Sequence, residues 1–514
     1  MKIPYQHAET IAINQHLNAP SSTQLEASPG AILLLPPSPA PIPWDAFPYG
    51  DLLRQRWAGR ASSAVDEDPW VTELPNPGGT RLAIARIPSE GEAFEQLTRA
   101  RKLAAELLGR DPSRVLVCGL GLDGAAAPRA YEAVIAALLA GVCALPSLKS
   151  APSPAHPLKR IDCYGLEVKL DLRATRAEAQ GNHLARWLTH LPPNLLAPRQ
   201  YRAFIDTLVK HQGWTLQVLD KKSLARKKAG AFLAVAQASS RPDAAIVRLG
   251  YRPPGARRRP SVALIGKGIC FDTGGVNLKS ARFMHGMHED MEGSAVALGT
   301  LLALTLLEVD FAVDCWLALA ENHVGPAAYK PNDVITASNG TSIEIVHTDA
   351  EGRMILADTL ALAGKTRPRL MIDYATLTGA CVAALSTRLS GVFCNRDALL
   401  PMLIEAGRAS GERVWPFPMS ADFDEALESK VADIKQCTLD SEADHILAAR
   451  FLSRFVPQES AWIHMDLSAG NHKRGLAHIP TDVTGFGVRF TLNLLLQRQV
   501  LSHETLDRPT ALAT

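Results

Sequence analysis

The segment Leu264-Ile-Gly266-Lys267-Gly268-Ile-Cys-Phe271-Asp272-Thr-Gly274-Gly275-Val-Asn-Leu-Lys279 decides how this chain is read. The apolar run before it predicts a buried strand over 261–265. A lysine at the strand end, with four glycines and an aspartate close by, puts charged groups where the backbone is expected to turn tightly. Burying an ammonium is costly, so such a lysine either pairs with a carboxylate or gives up its proton. A deprotonated lysine can ligate a metal. A strand-end ion pair between Lys267 and Asp272 explains the same residues, and this segment alone leaves both readings open.

Eleven residues after Lys279 stands Asp290, just before an apolar helical pattern. A carboxylate at a helix start is favoured by the helix dipole without any further role. His285 and His288 mimic a zinc pair in spacing, but the HExxH arrangement of zincins is absent, and they read as surface histidines. The most informative run is Val346-His347-Thr348-Asp349-Ala350-Glu351-Gly352-Arg353-Met354. Thr348 and Glu351 fit a capping box, which leaves Asp349, Gly352 and Arg353 unexplained. In extended backbone Asp349 and Glu351 point to one side, and several oxygen ligands with few histidines suit a hard or borderline divalent ion. Asp272, Asp290, Asp349 and Glu351, with Lys267, Lys279 and Arg353 alongside, would repel one another strongly unless cations neutralised them. Two divalent metals would do so.

The surrounding chain predicts an α/β fold of two domains: a smaller N-terminal α/β domain and a larger C-terminal α/β catalytic domain with a central mixed sheet flanked by helices. Strands are expected at 31–35, 80–87 and 114–118, with helices over 90–108 and 125–140. Further strands follow at 214–219, 244–249, 261–265, 312–318, 342–346, 370–374 and 461–467, separated by helices over 293–307, 353–363 and 441–455. A charged helical stretch over 170–190, stopped by Pro192-Pro193, marks the boundary. The expected division is 1–170, a linker helix over 171–190, and 191–514.

Of the 514 residues 47% are hydrophobic and 21% charged, values that fit neither a disordered chain nor a disulfide-stapled miniprotein. A net charge of +2 provides no global field toward nucleic acid or anionic membrane. The eight cysteines contain no CxxC pair and sit in apolar runs, as reduced core thiols of a cytoplasmic protein do. The N-terminal residues lack the apolar core of a secretory signal, and the longest uncharged apolar stretch, 133–146, is too short to span a bilayer. Gly119-Leu-Gly121-Leu-Asp-Gly124 matches the dinucleotide fingerprint, but no acidic residue closes a following strand, so it reads as an ordinary strand-to-helix turn.

Together the motifs resemble the leucyl aminopeptidase (M17, cytosol aminopeptidase) family. Its signature N-T-D-A-E-G-R-L is similar to His347–Met354, and its K-G-x-x-F-D-S-G-G-x-x-x-K to Lys267–Lys279 with Thr273 for Ser. Similarity extends through Glu321-Asn322, Lys330-Pro331, Asp373 to Gly379, Trp462 to Asp466 and Thr484 to Arg489, so it covers roughly residues 185 to 495. The resemblance implies that Asp272, Asp349 and Glu351 hold one metal, and Lys267, Asp272, Asp290 and Glu351 the other, as zinc or manganese. It implies that Lys279 stabilises the oxyanion, that Arg353 binds a bicarbonate serving as general base, and that Thr376, Leu377 and Gly379 border the pocket for the first side chain. Peptide substrates with hydrophobic N-termini and a homohexamer of two trimers are implied likewise.

The chain departs from the family pattern at His347 (for Asn), His288 (for Lys) and Glu292 (for a small residue), and its segment 436–445 lacks a Gly-Ala-rich stretch. Two alternatives follow: a catalytically silent scaffold, or an added DNA-binding role carried by Lys221-Lys222, Arg226 to Lys228 and Arg257 to Arg259. Such basic runs are usually solvated loop charge.

Overall fold

The computed structural model describes residues 7–507 apart from 60–68, 89–92, 123, 125, 152–154, 240, 242, 257–258 and 441. The chain forms two compact units. One comprises the residues up to His183 together with Lys473–Asp482; the other comprises Leu184–His472 and the chain from Val483. The division falls inside the helix Arg173–Thr189, and a ten-residue segment from far along the chain belongs to the first unit.

In that unit six strands, β1 Ala12–Gln15, β2 Gly30–Leu35, β3 Trp70–Glu73, β4 Arg81–Arg86, β5 Arg114–Gly119 and β6 Arg160–Tyr164, lie in the order β1-β6-β5-β2-β4-β3. All pairs are parallel except β3 with β4. Along β2, Ile32 and Leu34 enter one hydrophobic core while Ala31, Leu33 and Leu35 enter another. The continuous apolar run is thus a strand covered on both faces. Helices Ala93–Leu108 and Ala126–Gly141 follow β4 and β5. Two of the three dinucleotide-like glycines are accounted for by packing, since a Cβ on Gly119 would lie 2.9 Å from the Tyr131 hydroxyl and one on Gly121 2.7 Å from Pro43, while Gly124 takes a positive φ of +51°. Asp123 of that motif and part of the Arg257 to Arg259 cluster lie outside the described residues.

The second unit is built on β7 Thr215–Asp220, β8 Ala245–Tyr251, β9 Val262–Asp272, β10 Val313–Asn322, β11 Val334–Thr336, β12 Ser342–Glu344, β13 Leu370–Ala375, β14 Ser390–Cys394, β15 Val414–Pro416, β16 Ile434–Lys435 and β17 Ala461–Asp466. Eight of them make a mixed sheet, β15-β14-β17-β13-β9-β10-β8-β7, and β11-β12-β16 make a small second sheet. The central strands β17, β13, β9 and β10 are parallel. Helices Glu292–Leu306 and Glu351–Gly364 carry the crossovers, and both are buried along nearly their whole length.

Strand β9 runs seven residues beyond the expected end at 265, so Lys267 lies within the strand. The early glycines do not turn the chain; they allow close approach. A Cβ on Gly266 would stand 2.4 Å from Ser294 Cα, and one on Gly268 2.7 Å from Ala318 O. The turn comes only at Gly274 and Gly275, with φ of +86° and +67°. All eight cysteines are buried and none forms a disulfide. Among the described residues no helix is long and apolar enough to cross a membrane.

Candidate functional site

The carboxyl ends of β9, β10 and β13 converge with the N-terminus of helix Glu351–Gly364, the crevice where open α/β sheets bind ligands. Asp272 closes β9 and Asn322 closes β10; their registers pair directly. Asp272, Asp290 and Glu351 each bring a carboxylate oxygen within 4.8 Å of the others, all three buried. Two lysines thread this cluster. Lys267 Nζ lies 2.7 Å from Asp290 Oδ1 and 3.0 Å from Glu351 Oε1. Lys279 Nζ lies 2.9 Å from Asp272 Oδ2 and 2.6 Å from Asp349 Oδ1. Each ammonium therefore bridges one pair of carboxylates, and Asp349 joins the cluster through Lys279.

Burial shifts these groups. It pushes the Asp290 carboxyl up to about 8, with Glu351 and Asp272 adding to the rise and Lys267 opposing it. Burial and the Asp272 charge lift Asp349 to about 6 and raise Glu351 as well. Burial alone would lower the Lys267 ammonium, but Asp290, Glu351 and Asp272 outweigh it and hold it above the ordinary lysine range. Lys279 is raised in the same way by Asp272, Glu351 and Asp349. The donor set fits a divalent cation site. Asp290 Oδ2 and Glu351 Oε2 are buried without a hydrogen-bond partner among the described residues, a costly arrangement unless a cation takes up those lone pairs.

The loop after β13 is tied to the cluster. Thr376 donates its hydroxyl to Asp290 Oδ1 at 2.7 Å and its carbonyl accepts from Lys267 Nζ at 2.9 Å. Leu377 donates its N–H to Asp466 Oδ1 at 3.1 Å, and Thr378 Oγ1 donates to Asp466 Oδ2 at 2.6 Å. A Cβ on Gly379 would meet nothing within 4 Å. Arg353, two residues past Glu351, is 2% exposed. Its Nη2 lies 2.7 Å from Asp444 Oδ1 and its Nη1 donates to Gln436 O at 3.2 Å.

The capping-box reading of Thr348 and Glu351 does not hold. Helix Glu351–Gly364 begins at Glu351 after Ala350, without a side-chain cap. Thr348 is instead turned toward the glycine turn, donating to Gly274 O at 2.7 Å and accepting from Asn277 N at 3.0 Å. Gly352, unexplained in sequence, leaves room for Lys267: a Cβ there would fall 2.7 Å from Lys267 Cε. His285 and His288 belong to no group of metal-ligand side chains among the described residues. Glu292 is buried, its carboxyl pushed up to about 8 by burial and by Glu289, and Gly470 makes room for it. His347 is half-buried, with Nδ1 accepting from Asp349 N at 3.2 Å.

Sequence reasoning gave no role to Asn322, Asp444 or Asp466. Asn322 donates to Asp272 Oδ1 at 2.8 Å and so orients it. Asn322 and Asp466 end the observed strands β10 and β17, whereas the sequence pattern ends the first strand at 318 and runs the second to 467, so their signal was only their place in Glu321-Asn322 and Trp462 to Asp466; Asp444 had none beyond its place in the divergent segment 436–445.

A profile of the cytosol aminopeptidase family's catalytic domain matches residues 183–492. A protein of Wolbachia pipientis named "Probable cytosol aminopeptidase" is 42% identical over 327 residues, 63% of this chain and 65% of that protein. A namesake from Syntrophotalea carbinolica is 42% identical over 62% of this chain and 63% of its own length. The chain thus spans just under two thirds of these two relatives. A third, from Parasynechococcus marenigrum, is 36% identical over 86% of this chain and 90% of its own. A solved structure of a mutant tomato leucine aminopeptidase superposes with a TM-score of 0.82 at 25% identity, covering 95% of this chain and 97% of that one. Sequence profile, full-length relative and fold agree over the unit that carries the carboxylate cluster, and this chain belongs to the cytosol aminopeptidase family.

Proposed function

We propose that this protein is a binuclear-metal aminopeptidase that hydrolyses the N-terminal residue, leucine or another hydrophobic residue, from peptides. The observation that carries the reading is the buried convergence of Lys267 with Asp272, Asp290 and Glu351, in which two carboxylate oxygens lack a partner among the described residues. Lys267, Asp272, Asp290 and Glu351 would hold one ion and Asp272, Asp349 and Glu351 the other, with zinc or manganese suited to this donor set. Bound there, a metal pair supplies Lewis acidity, lowering the pKa of water and polarising a carbonyl.

The chain's own residues do the rest. Lys279, held at the mouth of the cluster with 14% of its side chain exposed, offers an ammonium to the carbonyl oxygen as negative charge develops on it. Loss of one such donor costs about 3 kcal/mol in other enzymes. Thr376, Leu377 and Gly379 border the pocket for the first side chain, where Gly379 leaves space and partly buried Leu377 an apolar wall. Arg353 presents a buried guanidinium for an anion, bicarbonate by resemblance. We further read the catalytic domain as residues 191–514, the assembly as a homohexamer and the location as cytoplasmic, without nucleic-acid or membrane partners.

Hydrolysis of leucine-p-nitroanilide after chelation, and after Mn²⁺ or Zn²⁺ is restored, tests the reading, with Glu351→Ala as control. Metal-dependent release that Glu351→Ala abolishes supports it. No release with any metal, although metal binds, would overturn it in favour of a silent scaffold.

A further inference from the structure

Arg353 is a guanidinium with almost no exposure, and such a charge is tolerated only against a counter-anion. The anion beside it comes from the chain itself. Asp444, the first residue of helix Asp444–Ser453, sets its Oδ1 2.7 Å from Arg353 Nη2, while the second oxygen makes no hydrogen bond among the described residues. The Asp444 side chain is 24% exposed, so it is not sealed from small molecules as Arg353 is. Asp444 is linked to the catalytic cluster through Arg353, which stands two residues after Glu351 in the same helix, and its charge opposes the lowering of the His347 pKa by burial and by the Lys279 ammonium. Asp444 lies in the segment 436–445, which carries acidic and polar residues in place of a Gly-Ala-rich stretch. A glycine or alanine there could provide no anion.

We propose that Asp444 is the resident anion of Arg353, a carboxylate that takes from within the chain the place of a diffusible planar oxyanion such as bicarbonate. Asp444 Oδ1 already occupies Arg353 Nη2, so a planar oxyanion must displace the Asp444 carboxylate to pair with that nitrogen of the guanidinium. The catalytic consequence rests on the aminopeptidase reading. There the carboxylate accepts a proton from water as the water oxygen bonds to the scissile carbonyl carbon. It returns that proton to the departing amine nitrogen as the C–N bond breaks, and ends unchanged.

The test compares the full-length wild type with Asp444→Ala and with Asp444→Asn, which keeps the side-chain size. Bicarbonate and formate are titrated calorimetrically, and peptide hydrolysis is measured in carbonate-free buffer with and without them. The wild type is expected to show no saturable binding of either anion and no rate response. Asp444→Ala is expected to gain saturable binding, to lose about 100-fold in rate as a lost general base does, and to recover part of it when bicarbonate or formate is added. Asp444→Asn is expected to lose rate without rescue, because the amide fills the space. Saturable bicarbonate binding to the wild type, or an Asp444→Ala variant that folds and gains none, would overturn the proposal. The binding arm needs no turnover, so an inactive wild type would count against the aminopeptidase reading and leave this one to be decided separately.

Discussion

Lys267 and Asp290 form an ion pair of 2.7 Å with 4% and 6% of their side chains exposed. For the lysine nitrogen to serve as a ligand it must first give up its proton, which Asp290, Glu351 and Asp272 hold on it. Metal affinity at this site must therefore rise with pH, because protons and metal compete for the same atoms. We expect binding of Mn²⁺ or Zn²⁺ to the chelated protein at pH 7 to release at least one proton per chain. Calorimetry in buffers of different ionisation enthalpy counts it, and a heat independent of the buffer would mean that Lys267 keeps its proton and is no ligand.

Gly352 yields a second expectation. A Cβ at that position would sit 2.7 to 2.9 Å from Lys267 Cε, Nζ and Cδ, so Gly352→Ala must push the lysine away from Asp290 and Glu351. Alanine is otherwise favoured over glycine inside a helix by about 1 kcal/mol, and Gly352 lies in the first turn of Glu351–Gly364. The two effects separate by readout. We expect the variant to keep its fold while metal affinity drops about 10- to 100-fold, the scale seen when a ligand's supporting contact is lost. Undiminished affinity in a folded variant would show that the lysine position does not matter to the ion.

Much of the site was legible because its residues lie in two short runs whose chemistry is local. Asp272 and Lys279, like Asp349 and Glu351, are close in sequence and needed only the fold to meet. The misreading of β9 has a physical cause. Glycine marks both a turn and a close approach, and only the crossing of Ser294 over Gly266 and of Ala318 against Gly268 tells them apart. Asp444 and Asp466 were hidden for a different reason: each acts on a partner some 90 residues away, Arg353 and Thr378, and no periodicity links such pairs. The segment Lys473–Asp482 joins the first unit through contacts such as Ala477 in its core, which a single apolar residue in a loop does not announce.

The last expectation concerns stability. His464 Nδ1 lies 2.6 Å from Asp373 Oδ1 with neither side chain exposed, and Trp462 Nε1 donates to Asp373 Oδ2 at 2.6 Å. Burial opposes a charged imidazole, but Asp373 outweighs it and raises the His464 pKa. A folded-state pKa above the unfolded value of about 6.5 means that the pair's contribution is complete below that pH and is lost as pH rises through the folded value. Each unit of elevation is worth about 1.4 kcal/mol. We expect the urea midpoint of the wild type to fall more steeply than that of His464→Gln as pH rises above about 6.5, with the two converging in slope once the imidazole is neutral. Parallel curves across the whole range would mean that His464 titrates alike in the folded and unfolded chain, and a wild-type midpoint that instead rises relative to His464→Gln up to about pH 6.5 would mean that His464 is neutral when folded, donating Nδ1–H to Asp373 as an ordinary hydrogen bond.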